Sequence, residues 1–364
     1  MTFIPDTARA WVDVDLGALV ANARTLSALT GSRLLPMVKA NGYGLGAIPV
    51  AHALEPVDPW GYGVASMDEG AALRTSRIGR PILVTSPLHP DAVDDHRAHD
   101  LRPSIGDIPA LRAWCARSER PFHVEIDTGM GRAGFHWGDA AGLDALSALL
   151  GEAAGWEGIY THFHSADTDP ASAVLQWDRF RDVIARLPRR PGLIHAANSA
   201  AALCGRAYAG DLVRPGIFLY GGRAGATAPL PVATLSARVV AVRRLSAGAS
   251  VSYGATWHAP RPTTIATLAL GYGDGFLRAT REPSPASPPR VVELGGALVP
   301  VVGRVTMDMT MVDVGDGAVA PGDVATIFGG RVSLDQQANA AGTIAYELLT
   351  ALAARVPRRY RSQE

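Results

Sequence analysis

From Trp11 to about Gly222, short apolar runs rich in Val, Ile and Leu alternate with longer segments whose apolar residues recur at helical spacing. That alternation predicts a parallel sheet buried on both faces, with a covering helix after each strand. Eight runs fit: RLLPMVKA, WGYGVAS, PILVTS, LRPSI, FHVEID, GIYTHF, GLIHAAN and DLVRPGIFLYG. Between them lie segments such as DEGAALRTSRI, DIPALRAWCARS, DAAGLDALSALLGEA and VLQWDRFRDVIARL. Eight such units predict an α/β fold with a closed, eight-stranded (β/α)8 barrel. The weak fourth run, Leu101 to Ile105, keeps an open doubly wound sheet as the alternative.

After Gly221 the pattern changes. GGRAGATAPLP reads as a linker, and the runs LSARVVAVRRL, VSYGATW, TTIATLALGYG, VVELGGALVPVVGRVTMDMTMVDV and DVATIFG predict a mainly antiparallel β domain. The expected division is a barrel over 12–230 and a β domain over 231–364, with residues 1–11 able to pair with the latter. REPSPASPPR, from Arg281 to Arg290, reads as an exposed loop. TIAYELLTALAARV reads as a closing helix with Ala345, Leu348, Leu349 and Leu352 on one face.

The 364 residues carry 34 basic and 34 acidic groups and are 48% hydrophobic, which disfavours disorder and a nucleic-acid electrostatic footprint. The N-terminus lacks a basic start followed by an apolar run, and no stretch is long enough to span a membrane, so a soluble cytoplasmic protein is expected. Cys115 and Cys204 are too few for a disulfide framework. One compositional fact is sharper: 33 of the 34 basic residues are Arg, and the single lysine is Lys39. Arginine holds its charge, whereas a lysine amine can lose its proton and attack a carbonyl. Lys39 is therefore a candidate nucleophile, although a biased composition could equally leave one lysine behind.

In such a barrel the chemistry sits where strands end. Lys39 closes the first run, and the NGYGLG that follows can turn Tyr43 back to the same mouth. Other strand ends bring Asp127 and Arg132, His162 and His164, Asn198 and Ser199, and Arg214. Asn198 and Ser199 stand before an apolar helix, which suits an anion or a plain N-cap, and the Gly216 and Ile217 amides offer a second anion grip. Two weaker patterns compete. GMGRAG, Gly129 to Gly134, fits the dinucleotide pattern with Glu152 about 20 residues on, but the long Arg132 would obstruct a pyrophosphate. His162 and His164 on a strand would share a face and could meet one metal, as in a barrel hydrolase, with only His195 and Asp167 as obvious further ligands.

VKANGYGLGA, DTGMGRAG, YTHFHSAD, ANSAA, RPGIFLYG, VSYGATW, GYGDGF, GRVTMDM and IAYELL, in this order over nearly the whole chain, resemble the alanine racemase family. The resemblance implies a pyridoxal 5′-phosphate-dependent isomerase with a barrel, a C-terminal β domain and a head-to-tail homodimer. It implies that Lys39 carries the cofactor and, once released by substrate, exchanges the α-proton on one face, with Tyr253 serving the other from the partner subunit. By the same likeness Arg214 donates to the pyridine nitrogen, and His162 and Arg278 assist Tyr253, which Asp308 orients. Tyr43, His162, Asn198, Ser199, Gly216, Ile217 and Tyr346 fall to the cofactor, while Arg132, Tyr272 and Met307 fall to the substrate, Met307 like Tyr253 completing the site of the partner subunit. No metal is implied.

Three positions depart from the family pattern. Glu125 stands where many members carry a carbamylated lysine, Thr306 where cysteine is frequent, and Trp257 where tyrosine is common. Glu125 could supply a negative charge to Arg132 directly, through a shorter side chain. The expected activity is interconversion of L- and D-alanine, the latter a cell-wall precursor. The alternatives are another small amino acid such as serine, a non-catalytic pyridoxal-phosphate protein, or the metal hydrolase.

Overall fold

A computed structural model describes residues 8–279 and 289–361. The eight runs form strands Arg33–Leu34, Tyr62–Val64, Ile82–Pro87, Arg102–Ile105, Phe122–Asp127, Trp156–Tyr160, Leu193–His195 and Leu212–Val213. Each is parallel to its neighbours, and Leu212 pairs with Arg33 while Met37 bridges Gly63, so the sheet closes into a barrel. The fourth strand is paired on both sides. Its run looks weak because Pro103 lacks a donor and the adjoining strand shifts register between Val84 and Pro87.

The barrel helices begin where the loops supply a cap. Asp107, Asp139 and Asp169 accept from the amides of Ala110, Gly142 and Ser172, three residues into each helix. Each cap fixes where its helix starts, and the helix turns its apolar face, such as Leu143, Leu146 and Leu150, into the core.

The second unit is also a closed sheet. Strand Ala233–Leu245 shifts register between Val239 and Ala241. Its first half pairs with Val324–Phe328 and its second with Thr263–Leu268. Strands Thr310–Gly315, Ala297–Val302 and Val291–Leu294 complete the antiparallel ring. One grouping above is corrected: Val12 to Val14 do not join the barrel. They lie in strand Ala10–Asp15, whose residues pair antiparallel with Ala233 to Ala237, and Arg358–Arg361 adds alongside in parallel. The closing helix is shorter than its periodicity implied, Ala345–Thr350, although Ala345, Leu348, Leu349 and Leu352 are all buried as a face. A helix not foreseen, Leu334–Ala340, starts at a Ser333–Gln336 capping box. Most of the expected 281–290 loop lies outside the described residues, but its last member, Arg290, is buried against the Phe276 ring.

Candidate active site

Lys39 leaves the first barrel strand on an unusual piece of backbone. Ala40, Asn41, Gly42, Tyr43 and Gly44 all have positive φ, between 51° and 79°, so the chain makes a short left-handed turn. For Ala, Asn and Tyr that conformation is uphill and must be held from outside. The Glu69 carboxylate accepts from the Ala40 amide at 2.6 Å and from the Ala65 amide at 2.8 Å. On the other side Arg358 donates to the Gly44 carbonyl and the Tyr360 hydroxyl to that of Leu45. A Cβ on Gly44 would meet the Leu349 carbonyl at 2.1 Å, so the closing segment seats directly on the turn. The result presents the Lys39 amine and the Tyr43 ring to one cavity.

That cavity, about 250 Å³, is lined by Lys39, Tyr43, Arg132, His162, Asn198, Ser199, Arg214, Gly216 and Ile217, from the segments that follow several barrel strands, and by Tyr346 from helix Ala345–Thr350. Thr85, Tyr160 and Thr350 join them. Sequence reading passed these over, though Thr350 stands one helical turn beyond Tyr346, a signal that was available. Burial lowers the Lys39 pKa, and the Arg132 and Arg214 charges lower it further, against the opposing pull of Glu69. An amine so placed is easier to deprotonate than a solvated lysine.

Arg214 is buried, and its guanidinium donates to the carbonyls of Thr161 (2.7 Å), His195 (3.0 Å) and Ala196 (3.0 Å). Burial lowers its pKa to about 10, which leaves it charged at neutral pH. His162 Nδ1 is 3.4 Å from the same group, and burial, Arg214 and Arg132 drive the His162 pKa to about 3, so it is a neutral imidazole. Glu125 is buried beneath Arg132 at 3.8 Å, an ion-pair distance longer than a hydrogen bond. Burial raises the Glu125 pKa against the pull of Tyr160 and the two arginines.

At the other end Asn198 is an N-cap, its side chain accepting from the Ala201 amide at 3.0 Å. Ser199 Oγ accepts from the Gly216 amide at 2.9 Å, joining the two expected anion grips at one place. A Cβ on Gly216 would lie 2.2 Å from Tyr43 Oη, so only glycine lets that hydroxyl stand over the amide. Tyr43 is stacked on Tyr220 at 4.5 Å, and Tyr346 lies 6.0 Å away. Amides, hydroxyls and a glycine-made cradle match an oxyanion such as a phosphate, while the lysine amine matches a carbonyl. The lining therefore fits a phosphorylated aldehyde.

Five expected residues are not at this cavity. Tyr253 stands on the turn Tyr253–Ala255, 68% exposed, pushed outward where Ser252 takes a φ of 68° and donates to the Arg304 carbonyl. Tyr272, Met307 and Arg278 are also exposed. Asp308, expected to orient Tyr253, has its carboxylate held by Arg355 at 2.8 Å, with Arg9 at 3.9 Å. The competing patterns resolve locally. Asp127 accepts from the Gly129 and Gly131 amides, filling the nest a dinucleotide would need. The strand ends at Tyr160, before the histidines, so His162 enters the cavity while His164 turns to Ser165. Among the described residues no group of three or more His, Cys, Asp or Glu is arranged to hold a metal, and no helix is long and apolar enough to cross a membrane.

Residues 14–224 match the family model of the alanine racemase N-terminal domain, and residues 232–360 that of its C-terminal domain. The alanine racemase of Acidiphilium cryptum is 37% identical over 355 residues, 95% of this chain and 97% of that protein. That of Deinococcus deserti is 38% identical over 359 residues, covering 96% and 98%. Among solved structures, the biosynthetic alanine racemase of Pseudomonas aeruginosa superposes with a TM-score of 0.88 at 33% identity, over 98% of this chain and all of that one. The Streptomyces coelicolor alanine racemase gives 0.86 at 33% identity, over 98% of each chain.

Proposed function

The chain belongs to the alanine racemase family, and from that premise we propose that it interconverts L- and D-alanine with bound pyridoxal 5′-phosphate, as a head-to-tail homodimer. Bound in the cavity, that cofactor supplies an electron sink that acidifies the substrate α-carbon. Lys39 is assigned to hold its aldehyde carbon, Arg214 to donate to its ring nitrogen, and Tyr43, Ser199, Gly216, Ile217 and Tyr346 to hold its phosphate. Asn198 sets the start of the short helix that carries Ser199. A guanidinium does not readily give up its proton, so Arg214 keeps the ring nitrogen unprotonated and restrains side reactions.

Racemisation needs a proton carrier on each face, because a single base returns the proton mostly to the side it came from. The Lys39 amine, made easier to deprotonate by burial, serves one face. Tyr253 of the partner subunit is assigned to the other, with His162, Arg278 and Met307 near it, and Tyr272 at the approach. Arg132 is assigned to the substrate carboxylate, with Glu125 beneath it as the counter-charge. Asp308 is assigned a supporting part, fixing the Met307 turn through Arg355.

The observation that carries this reading is the chain's one lysine, set at a strand end on a left-handed turn and facing Arg214 and the Tyr43–Gly216 cradle across one cavity. The test follows alanine in deuterated water. The wild-type protein is expected to wash deuterium into the α-carbon as it racemises, and Lys39→Ala to do neither. Borohydride reduction should fix the vitamer to wild type at Lys39 alone. Wild-type racemisation by Lys39→Ala would reject the assignment.

A further inference from the structure

Behind Arg214 a chain of buried side chains runs down the inside of the barrel. Arg214 Nη1 lies 2.8 Å from His195 Nδ1, His195 Nε2 lies 2.8 Å from His123 Nδ1, and His123 Nε2 lies 3.1 Å from Glu157 Oε2. Arg102 Nε donates to that same carboxylate oxygen at 2.8 Å. The ends decide the direction of every bond between them. A guanidinium can only donate and a carboxylate only accept, so each imidazole must be neutral, with its proton on Nε2 and its bare Nδ1 turned toward the cavity.

The surroundings are built for this arrangement. Both imidazoles are fully buried, and burial depresses the pKa of each, with the Arg214 charge adding to it. A Cβ on Gly158 would come within 2.7 Å of the His123 ring, so glycine at that strand position opens the space the ring occupies. Tyr160 stacks on His195 at 5.0 Å, fixing its plane. Arg102 already balances Glu157, so the carboxylate need not draw a second proton onto His123.

We propose that His123, on the far side of His195 from the cavity, is a positioning residue for the reaction: with Glu157 it locks His195 in the tautomer that accepts from Arg214, and so holds the guanidinium in place as a charged donor facing the cavity. The inference rests on the function proposed above for Arg214. Removing His123 leaves the Nε2 proton of His195 unpartnered in the core. With nothing to accept that proton, the His195 ring is no longer held at this depth and shifts toward another partner, taking with it the Nδ1 to which Arg214 donates.

The first test needs no variant and no cofactor. In ¹⁵N-histidine-labelled wild-type chain, long-range ¹H–¹⁵N spectra between pH 6 and 9 are expected to show His123 and His195 both neutral with the proton on Nε2. An Nδ1 proton or an imidazolium at either residue would overturn the proposal. The second test compares His123→Leu with His123→Asn, whose side-chain oxygen can still accept from His195. His123→Leu is expected to raise the pyridoxal 5′-phosphate dissociation constant by roughly tenfold, the change that follows from weakening one charge-assisted hydrogen bond, and to lower kcat more than it raises KM. His123→Asn is expected to stay near wild type in both. Equal behaviour of the two variants, or a wild-type dissociation constant in His123→Leu, would refute the role. If wild type bound no pyridoxal phosphate, the proposed function would fall, while the tautomer measurement would still judge the relay on its own.

Discussion

At the scale of single residues, the site is made by what is missing as much as by what is present. Gly216 is the clearest case, because the Cβ of Gly216→Ala would fall 2.2 Å from Tyr43 Oη. The Tyr43 ring is pinned against Tyr220, so the hydroxyl can yield only by unstacking. Gly216→Ala is expected to weaken cofactor binding in a spectrophotometric titration, with a stability loss of about 1–3 kcal/mol from overpacking. His162 makes a second prediction, through pH. The folded chain keeps it neutral down to about pH 3, whereas an unfolded histidine takes up a proton below about 6.5. Its contribution is therefore complete above about pH 6.5 and is lost as pH falls toward 3, because the unfolded state then binds the extra proton. His123 and His195 lose stability in the same direction, so the readout is a difference. His162→Asn should flatten the fall of the unfolding free energy with acid, read from urea titrations, by at most about 1.4 kcal/mol per pH unit, and an unchanged slope would contradict the neutral assignment.

At the scale of elements, periodicity made the eight strands and the lysine-bearing strand end legible, but not the left-handed turn that aims the lysine. Asn41, Gly42 and Gly44 signal a tight turn, but Ala40 and Tyr43 carry no local signal for a left-handed backbone, which is held by Glu69 on one side and by the closing segment on the other. Glu69 did carry a signal, standing three residues after Ser66 as in a capping box. That pattern would have spent the carboxylate on its own helix, whereas it reaches the Ala65 and Ala40 amides. Strand Arg358–Arg361 was illegible for a related reason: it is anchored by charge, with Arg359 and Arg361 both on Asp13, instead of by an apolar run. The turn gives a direct prediction. Glu69→Ala removes two charge-assisted bonds and should lower stability by about 2 kcal/mol or more, with a larger loss of racemisation than of fold content by circular dichroism. Gly44→Ala, facing a backbone carbonyl that cannot rotate away, is expected to be worse still in a thermal melt.

At the scale of the whole molecule, the chain gathers Lys39 and its neighbours at its barrel mouth and displays the other residues of the proposed reaction centre elsewhere. Lys39 and its neighbours are drawn into the cavity, but Tyr253 is 68% exposed and Met307 is 53% exposed on the β domain. Sequence motifs name both halves and cannot say whether one chain brings them together, because that depends on where two closed sheets place their surfaces. The head-to-tail dimer proposed above would resolve the separation, since each β domain would then complete the other chain's cavity. The consequence can be measured by mixing two inactive proteins. In a hybrid of Lys39→Ala with Tyr253→Phe, one site receives both substitutions and the other receives neither. Random reassortment makes half of the dimers hybrids, so mixing after dissociation should restore about one quarter of wild-type activity. If Lys39 and Tyr253 of the same chain worked together, every site would carry one defect and the mixture would stay as inactive as its components.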